Sequence, residues 1–476
     1  MKKINRYKLD NKKARCTMKN IMFFCIPAHG HHNPTIAVVK ELVQRGNTVR
    51  YYSFREFQSK IESTGAEFIA CDDLLPEISQ EVENGTKVMT TTEMTAVDLQ
   101  MTAAMDGFLS EQVEEFKPNV IVADSVCFWG KLLARKFEIP MVVSNTTFAF
   151  NKYSSGYMKS SLAEIMDLIT GNKRIKAELK KLEAYGYHEK SIMPLVQNDN
   201  FTDTIVYATE KYQPCSDTFS KHYAFVGPSV STDLRPNKDN ERPLVYISLG
   251  TVVSNKPDFY KKCVDALKEE DVDVIISCGR TVEPGTLNTL ANNVKAYHSV
   301  NQLEVLSKAN VFLTHNGMNS TSESLYMGTP MVFFPQTNEQ RAVTRRAKEM
   351  GTGIELKDES VEGIRTAVMK VLSEPKYAEN AMKCSKDFCN APGPKGAAEF
   401  IETAPHIMPD EDKKCIWREI LPGMLALLYW LVAILFVIFF EKITGSNKWW
   451  IVAIVANVIF PLYKKFISIV GMKLFS

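Results

Sequence analysis

The sequence predicts an α/β protein of two doubly wound, parallel-sheet domains facing across a cleft, followed by an apolar C-terminal segment. Three observations predict this. Short apolar runs alternate with amphipathic stretches from Lys19 onward, and the alternation pauses at a polar, proline-bearing stretch before a second series begins. An uncharged run, Leu421 to Phe440, then follows. Strands alternating with helical patterns pair in parallel, because each crossover uses a helix to carry the chain back.

In chain order, residues 1–18 form a basic arm, with Lys2, Lys3, Arg6, Lys8, Lys12, Lys13 and Arg15 against Asp10. No apolar core of signal-peptide length follows, so the arm is expected to be disordered and the body of the chain cytoplasmic. Residues 19–228 make the first domain. Ile21–Ile26 reads as a strand, Pro34–Arg45 as a helix and Thr48–Phe54 as a strand, with Val120–Ala123 and Met141–Val143 as further buried strands. Met89, Met94, Met101, Met105 and Phe108 recur at roughly helical spacing, either as packing against the sheet or as an adaptable lining for an apolar ligand. Residues 229–243 read as a linker and 244–405 as the second domain, with strands at Leu244–Ser248, Val274–Ser277, a run ending at Leu313, and Met331–Phe334.

Residues 406–420 are a juxtamembrane linker and 421–463 the expected membrane part. Leu421–Phe440 has the roughly 20 residues a spanning helix needs. Trp449–Tyr463 is a second span or an interfacial segment, its tryptophan pair suited to an aromatic belt. Basic residues before the first run, and in the basic tail 464–476, favour a hairpin with both ends in the cytoplasm.

A chain of 476 residues has room for two cores, and 45% hydrophobic content with a net charge of +2 gives no footprint for nucleic acid. The ten cysteines contain no CxxC pair, which argues for a reducing compartment and against a zinc site. Asp271-Val272-Asp273 has metal-binding DxD spacing but precedes a strand, and reads as surface charge. No metal is expected.

The chemistry concentrates in three turns. Phe312-Leu-Thr-His-Asn-Gly-Met-Asn-Ser-Thr-Ser-Glu323 runs from strand to turn to helix. It places His315, the Gly317 backbone, Asn319 and Ser320 at a helix mouth, where free N–H groups and the dipole favour a diphosphate. Glu323, a turn further on, is suited to ribose hydroxyls. Val245-Tyr-Ile-Ser-Leu-Gly-Thr251 is another strand with a small-residue turn. Pro27-Ala-His-Gly-His-His-Asn-Pro34 follows the first strand, where open α/β sheets hold ligands. Its histidines are suited to proton transfer near neutrality, and chemistry alone leaves open which one acts. Asp124 ends a neighbouring strand on the same rim, where it is either an imidazole partner or a helix cap.

The Phe312–Glu323 signature, continued by Gly328-Thr-Pro-Met-Val-Phe-Phe-Pro335 and Asn338-Glu339-Gln340, resembles the donor site of the UDP-dependent glycosyltransferases. The resemblance covers about Met18 to Glu402. It implies the GT-B fold of two Rossmann-like domains and an inverting transfer of a hexose from a UDP-sugar co-substrate to a hydroxyl, with no metal. The Gly-His-x-x-Pro pattern, matched by Gly30-His31-His32-Asn33-Pro34, implies His31 as the base and Asp124 as its partner, with His29 and His32 shaping the loop or helping to place the acceptor. Ser248, Gly250 and Thr251 become donor contacts facing His315, Gly317, Asn319 and Ser320. Glu339 and Gln340 match the pair that holds sugar hydroxyls, and the glutamine leans towards glucose. Two departures stand out. Ser299 occupies the position of a uracil-stacking tryptophan and Asn301 that of a proline, leaving the backbone near Val300 to hold the base. Asn316 replaces a small residue and is expected to crowd the phosphate turn. A tethered enzyme of this kind suits a lipophilic acceptor such as a sterol, lipid, polyketide or phenol. A UDP-sugar epimerase and a silent nucleotide-sugar receptor are the competing readings.

Overall fold

The computed structural model describes residues 18–74, 89–158, 161–196, 199, 201–230, 232–250, 255–406, 409–445, 450 and 454–463. Thr251, most of the basic arm and the basic tail lie outside them.

The first domain is a seven-stranded parallel sheet: β1 Asn20–Phe24, β2 Thr48–Ser53, β3 Glu67–Ala70, β4 Val120–Asp124, β5 Met141–Asn145, β6 Asp203–Val206 and β7 Tyr223–Phe225. Their spatial order is β3-β2-β1-β4-β5-β6-β7. Its helices are α1 His29–Gln44, α2 Gln58–Glu62, α3 Thr91–Phe116, α4 Phe128–Lys136, α5 Leu162–Leu182 and α6 Met193–Val196. The continuous apolar runs of β1 and β4 are buried, as a parallel sheet covered on both faces requires. The strand order reverses between β1 and β4, and this switch point opens a crevice at their carboxyl ends.

The second domain repeats the plan with β8 Leu244–Ser248, β9 Asp273–Ser277, β10 Val294–Tyr297, β11 Val311–Thr314, β12 Met331–Phe333 and β13 Gly353–Glu355, ordered β10-β9-β8-β11-β12-β13. The helices are α7 Pro257–Leu267, α8 Pro284–Asn288, α9 Gln302–Lys308, α10 Met318–Tyr326, α11 Asn338–Glu349, α12 Val361–Ser373, α13 Pro375–Cys389, α14 Gly393–Thr403 and α15 Pro409–Thr444. Here the switch point lies between β8 and β11, where Ser248 pairs with Thr314. Side chains from both domains share one apolar cluster, in which the Tyr212 ring sits 5.3 Å from Phe148 and 5.4 Å from Phe388.

Four features differ from expectation. First, α1 begins at His29, so the histidine-rich segment is the first turn of a helix rather than a loop. Second, α14 packs into the first domain. Ala397, Ala398 and Ile401 are buried in its core, and Glu402 accepts from Arg45 at 3.1 Å and from Asn47 at 2.7 Å. Residues 393–404 therefore belong to the first domain's core, not the second's. Third, the linker is docked: Lys238 donates to the Leu306 and Ala309 carbonyls and to Thr329, and burial pulls its pKa to about 7. Fourth, among the described residues no helix is long and apolar enough to cross a membrane, which corrects the expected span in 421–463. Residues 423–439 lie within α15. That stretch folds back on the helical residues 454–463, with Tyr429 donating to the Ala456 carbonyl at 2.8 Å. Of the α3 methionines, Met101 and Met105 are core, whereas Met94 is exposed.

Candidate functional site

The two switch points bring their turns together across one cleft. On the first-domain side His31 stands in the first turn of α1, and Asp124 ends β4 directly beside it. His31 Nδ1 donates to Asp124 Oδ2 at 2.7 Å, with the carboxylate fully buried and the imidazole 27% exposed. Thr146 Oγ1 lies 3.2 Å from the same nitrogen. This fixes the tautomer and leaves Nε2 as the proton acceptor. Burial pulls the His31 pKa down, but the charge and hydrogen bond of Asp124, aided by Glu339, outweigh it and raise the pKa overall. The second oxygen of Asp124 accepts from the Val126 N–H at 2.9 Å, a turn ahead of α4 whose cap is Cys127, so Asp124 is the imidazole partner and not a helix cap.

The other histidines are occupied. His32 is fully buried, stacks on Phe57 with centroids 3.7 Å apart and bonds Ser53 at 2.5 Å. Burial takes its pKa to about 4. His29 pairs with Glu56 at 3.0 Å.

On the second-domain side, the His315 ring is wedged between two glycines. A Cβ at Gly250 would lie 2.6 Å from its Cε1, and one at Gly317 would lie 2.7 Å from its Nε2. Gly250 also has φ +73°, where side chains are strained. Burial lowers the His315 pKa to about 4, so the ring is neutral, and its Nδ1 is buried without a partner among the described residues. A neutral ring at the mouth of α10, beside Ser248, can donate one hydrogen bond to an anion in the turn.

Asn316 does not crowd that turn. It takes the left-handed conformation at φ 62° that asparagine tolerates, and its buried amide bonds Thr344 at 2.9 Å and Thr321 at 2.6 Å. Asn319 reaches across the cleft and donates to the Gly30 carbonyl at 2.9 Å. Ser320 and Glu323 face Gln302, which donates to Glu323 at 2.7 Å and lies 3.4 Å from Ser320. Burial raises the Glu323 pKa, and the Gln302 bond opposes it. Ser299 is exposed and Val300 half-buried, while Asn301 caps α9 in place of a proline.

Glu339 opens α11 and accepts from Thr147 of the first domain at 3.3 Å. Burial raises its pKa while the nearby His31 lowers it. Gln340 is used differently from its neighbour: its Oε1 accepts from the N–H groups of Gln336 and Thr337, at 2.7 and 3.2 Å, in a capping box. Asp271 and Asp273 pair with Arg242. Among the described residues no group of three or more His, Cys, Asp or Glu is placed to hold a metal ion.

Several groups escaped sequence reasoning. Thr146 and Thr147 follow β5 on the active rim, and polar residues at that strand end were the available signal. Gln302 sits in the run that lacks the tryptophan, yet drew no role. Asp98 of α3 lies near Asp124, and burial followed by that charge pushes its pKa to about 7. Lys131, the buried cation of α4, donates to the Ser125 carbonyl and, at 2.6 Å, to that of Leu195. Burial lowers its pKa to about 8 against the pull of Asp124.

This geometry agrees with comparisons to known proteins. Residues 231–393 match the family described as UDP-glucoronosyl and UDP-glucosyl transferase. The chain is 33% identical to the NDP-glycosyltransferase YjiC of Bacillus licheniformis, over 81% of this chain and 97% of that protein. It is 27% identical to the demethyllactenocin mycarosyltransferase of Streptomyces fradiae, over 84% and 89%. Among solved structures, the glycosyltransferase of kitacinnamycin superposes with a TM-score of 0.69 at 26% identity, covering 81% of this chain and 98% of that one. Two switch-point turns facing each other in a GT-B fold, together with 33% identity along nearly the full length of an NDP-glycosyltransferase, place this chain in the UDP-glycosyltransferase family, as an enzyme that transfers sugar from a nucleotide-sugar donor.

Proposed function

We propose that the enzyme is an inverting transferase that moves a hexose, glucose, from UDP to a hydroxyl of a lipophilic acceptor. The observation that carries this is the His31–Asp124 pair at 2.7 Å, opposite the His315 turn. His31 Nε2 takes the acceptor proton while the hydroxyl oxygen attacks the anomeric carbon from the face opposite the diphosphate. The imidazolium that forms is stabilised by Asp124. The departing diphosphate gathers charge at the mouth of α10, where His315, Gly317 and Ser320 stand beside Ser248 and Gly250, and Thr251 is the further donor contact in this reading. Glu323 receives the ribose hydroxyls with Gln302 holding it in place. Glu339 meets the sugar hydroxyls, and Gln340 supports that turn through its capping bonds. Uracil lies against the backbone at Val300. No metal takes part in this scheme.

The C-terminal helices supply the reason for a lipophilic acceptor. Leu427 is 73% exposed, and Leu462 in 454–463 is 69% exposed. A soluble surface rarely carries so continuous an apolar face, which supports attachment to a lipid surface; a crossing is no part of this reading.

The test is incubation of the membrane fraction with labelled UDP-glucose and mass spectrometry of the products. A glucosylated lipophile with inverted anomeric configuration is the expected result. UDP-glucose converted without any acceptor would identify an epimerase instead.

A further inference from the structure

From its first residue, α11 carries a row of residues spaced at three and four positions: Asn338, Arg341, Arg345 and Lys348. That spacing lines one helix face, while Gln340, Val343 and Ala347 are buried. Two cavities run along the row. One, of about 330 Å³, is lined by Tyr157, Asn338, Arg341 and Arg345. The other, of about 470 Å³, shares both arginines and adds Thr344, Lys348, Glu349 and Glu355, so its charge is mixed.

The cations differ in how far they are committed. Lys348 pairs with Glu355 at 2.7 Å. Arg345 pairs with Glu349 at 3.4 Å, donates to the Gly156 carbonyl at 2.9 Å and lies 4.4 Å over the Tyr157 ring. Asn338 is held by both oxygens of Glu164, at 2.8 and 2.9 Å. Arg341 is exposed and has no hydrogen bond or ion pair among the described residues, although its charge reaches the Glu164 carboxylate. It lines both cavities with its donors unspent.

We propose that the acceptor carries an anionic group, a carboxylate or phosphate, and that Arg341 binds this group in the smaller cavity. This rests on the glycosyl-transfer reading of the same cleft. Asn338 and Arg341 are one turn of helix apart, about 5 Å along the axis, and Glu339 between them accepts from Thr147, next in the chain to Thr146, which contacts His31. Tyr157 and Glu164 come from the first domain, so the cavity lies on the acceptor's side. The donor diphosphate has a separate seat between β8 and β11. A guanidinium presents parallel N–H donors that match a planar carboxylate or a phosphate edge, which an ammonium does not.

The experiment compares 4-hydroxyphenylacetate with its methyl ester, both as calorimetric ligands of the full chain with UDP bound and as acceptors. The acid should bind about tenfold more tightly than the ester, with a preference that shrinks as salt rises. Arg341→Ala should lower the acid-to-ester affinity ratio about tenfold, and Arg341→Lys should restore only part of it. Equal binding of acid and ester by the wild type, or an unchanged ratio in Arg341→Ala, would overturn the proposal. Flotation with phosphatidylglycerol and phosphatidylcholine vesicles separates the other source of anions. If Arg341→Ala weakens only binding to the anionic vesicles, the cavity serves a lipid headgroup and the acceptor assignment fails. The heat signal does not need catalysis. A preserved acid preference with no product from either compound would sink the transfer reading while leaving the anion site standing.

Discussion

His31 and His32 are adjacent on α1, yet the fold gives them opposite proton affinities. Each is desolvated, but only His31 faces a carboxylate at hydrogen-bond distance. His32 instead has Ser53, the Ala28 carbonyl and the Phe57 ring around it. His31→Ala should therefore reduce kcat by about 10² or more with UDP affinity preserved, because general-base catalysis is typically worth 10²–10⁴-fold. His32→Ala should act mainly on stability, seen as a lowered Tm. A rate loss larger for His32 than for His31 would reverse the assignment. The pH dependence follows with its sign. The raised His31 pKa keeps the base protonated to a higher pH, so kcat/KM should climb with pH along an acid limb centred above about 6.5. In Asp124→Asn burial dominates, and the limb should move to lower pH while the rate falls. For His32 the folded pKa of about 4 lies below the unfolded value. The unfolded chain then binds the extra proton between about pH 6.5 and 4, so stability falls as pH drops through that window. Thermal melts of the wild type and of His32→Gln, compared across it, measure this contribution.

Within α1, Pro34 has a consequence at a distance. Having no N–H, it cannot bond the carbonyl four residues back, which is that of Gly30. That carbonyl accepts instead from Asn319 at the mouth of α10, joining the two domains beside the base. Pro34→Ala supplies a competing N–H and should weaken the joint, whereas Asn319→Ala removes it. Both should raise KM for the nucleotide sugar several-fold, and a fluorescence titration with UDP checks this. An Asn319→Ala enzyme with unaltered KM would show the bond to be incidental. On the opposite turn, Gly250→Ala and Gly317→Ala should displace the His315 ring and cost kcat more than Gly30→Ala, whose Cβ meets nothing within 4 Å. Pro34 also explains why the start of α1 was misread from sequence. Proline favours the first helical position, so the turn before it looked like a loop. Strands β1, β4, β8 and β11 were legible because their apolar runs are continuous. Strands β3, β10 and β13 were not. They are short and lie at or beside the sheet edges, and Val294-Lys-Ala-Tyr297 alternates buried and exposed residues. Turn motifs located His31, Asp124 and His315, since strand ends at a switch point are fixed by topology. Gln302, Thr147 and the uncommitted Arg341 were invisible, because their roles depend on which surfaces the two domains bring together.

At the scale of the molecule, the chain crosses between domains twice, and this decides where it can be cut. After β13 and the helices that cover it, α14 returns to the first domain and buries Ala397, Ala398 and Ile401 there. The segment that follows is tied down as well. The His406 N–H donates to Asp203 Oδ2 at 3.0 Å, and the other oxygen of Asp203 accepts from His222 at 2.6 Å. Burial opposes ionisation of this carboxylate, but its two histidine partners prevail and bring the pKa to about 2. The stability it contributes is present above about pH 4 and is lost as pH falls towards 2. Past His406 the described side chains of α15 and 454–463 meet each other through Tyr429, Trp430, Phe460 and Tyr463. A chain ending at Ile407 should therefore keep the cooperative melt of the two domains and its activity on small phenols, while leaving the membrane fraction. A chain ending at Pro392 removes a buried helix face from the first core and should fail to fold, since exposing such a surface costs several kcal/mol. Activity of the longer truncation on an acceptor held in liposomes should drop while activity on a soluble phenol persists, because attachment raises the local concentration of the acceptor. Equal loss on both would mean that the C-terminal helices support the cleft itself. Equal retention on both would mean that they locate the enzyme without helping it reach its substrate.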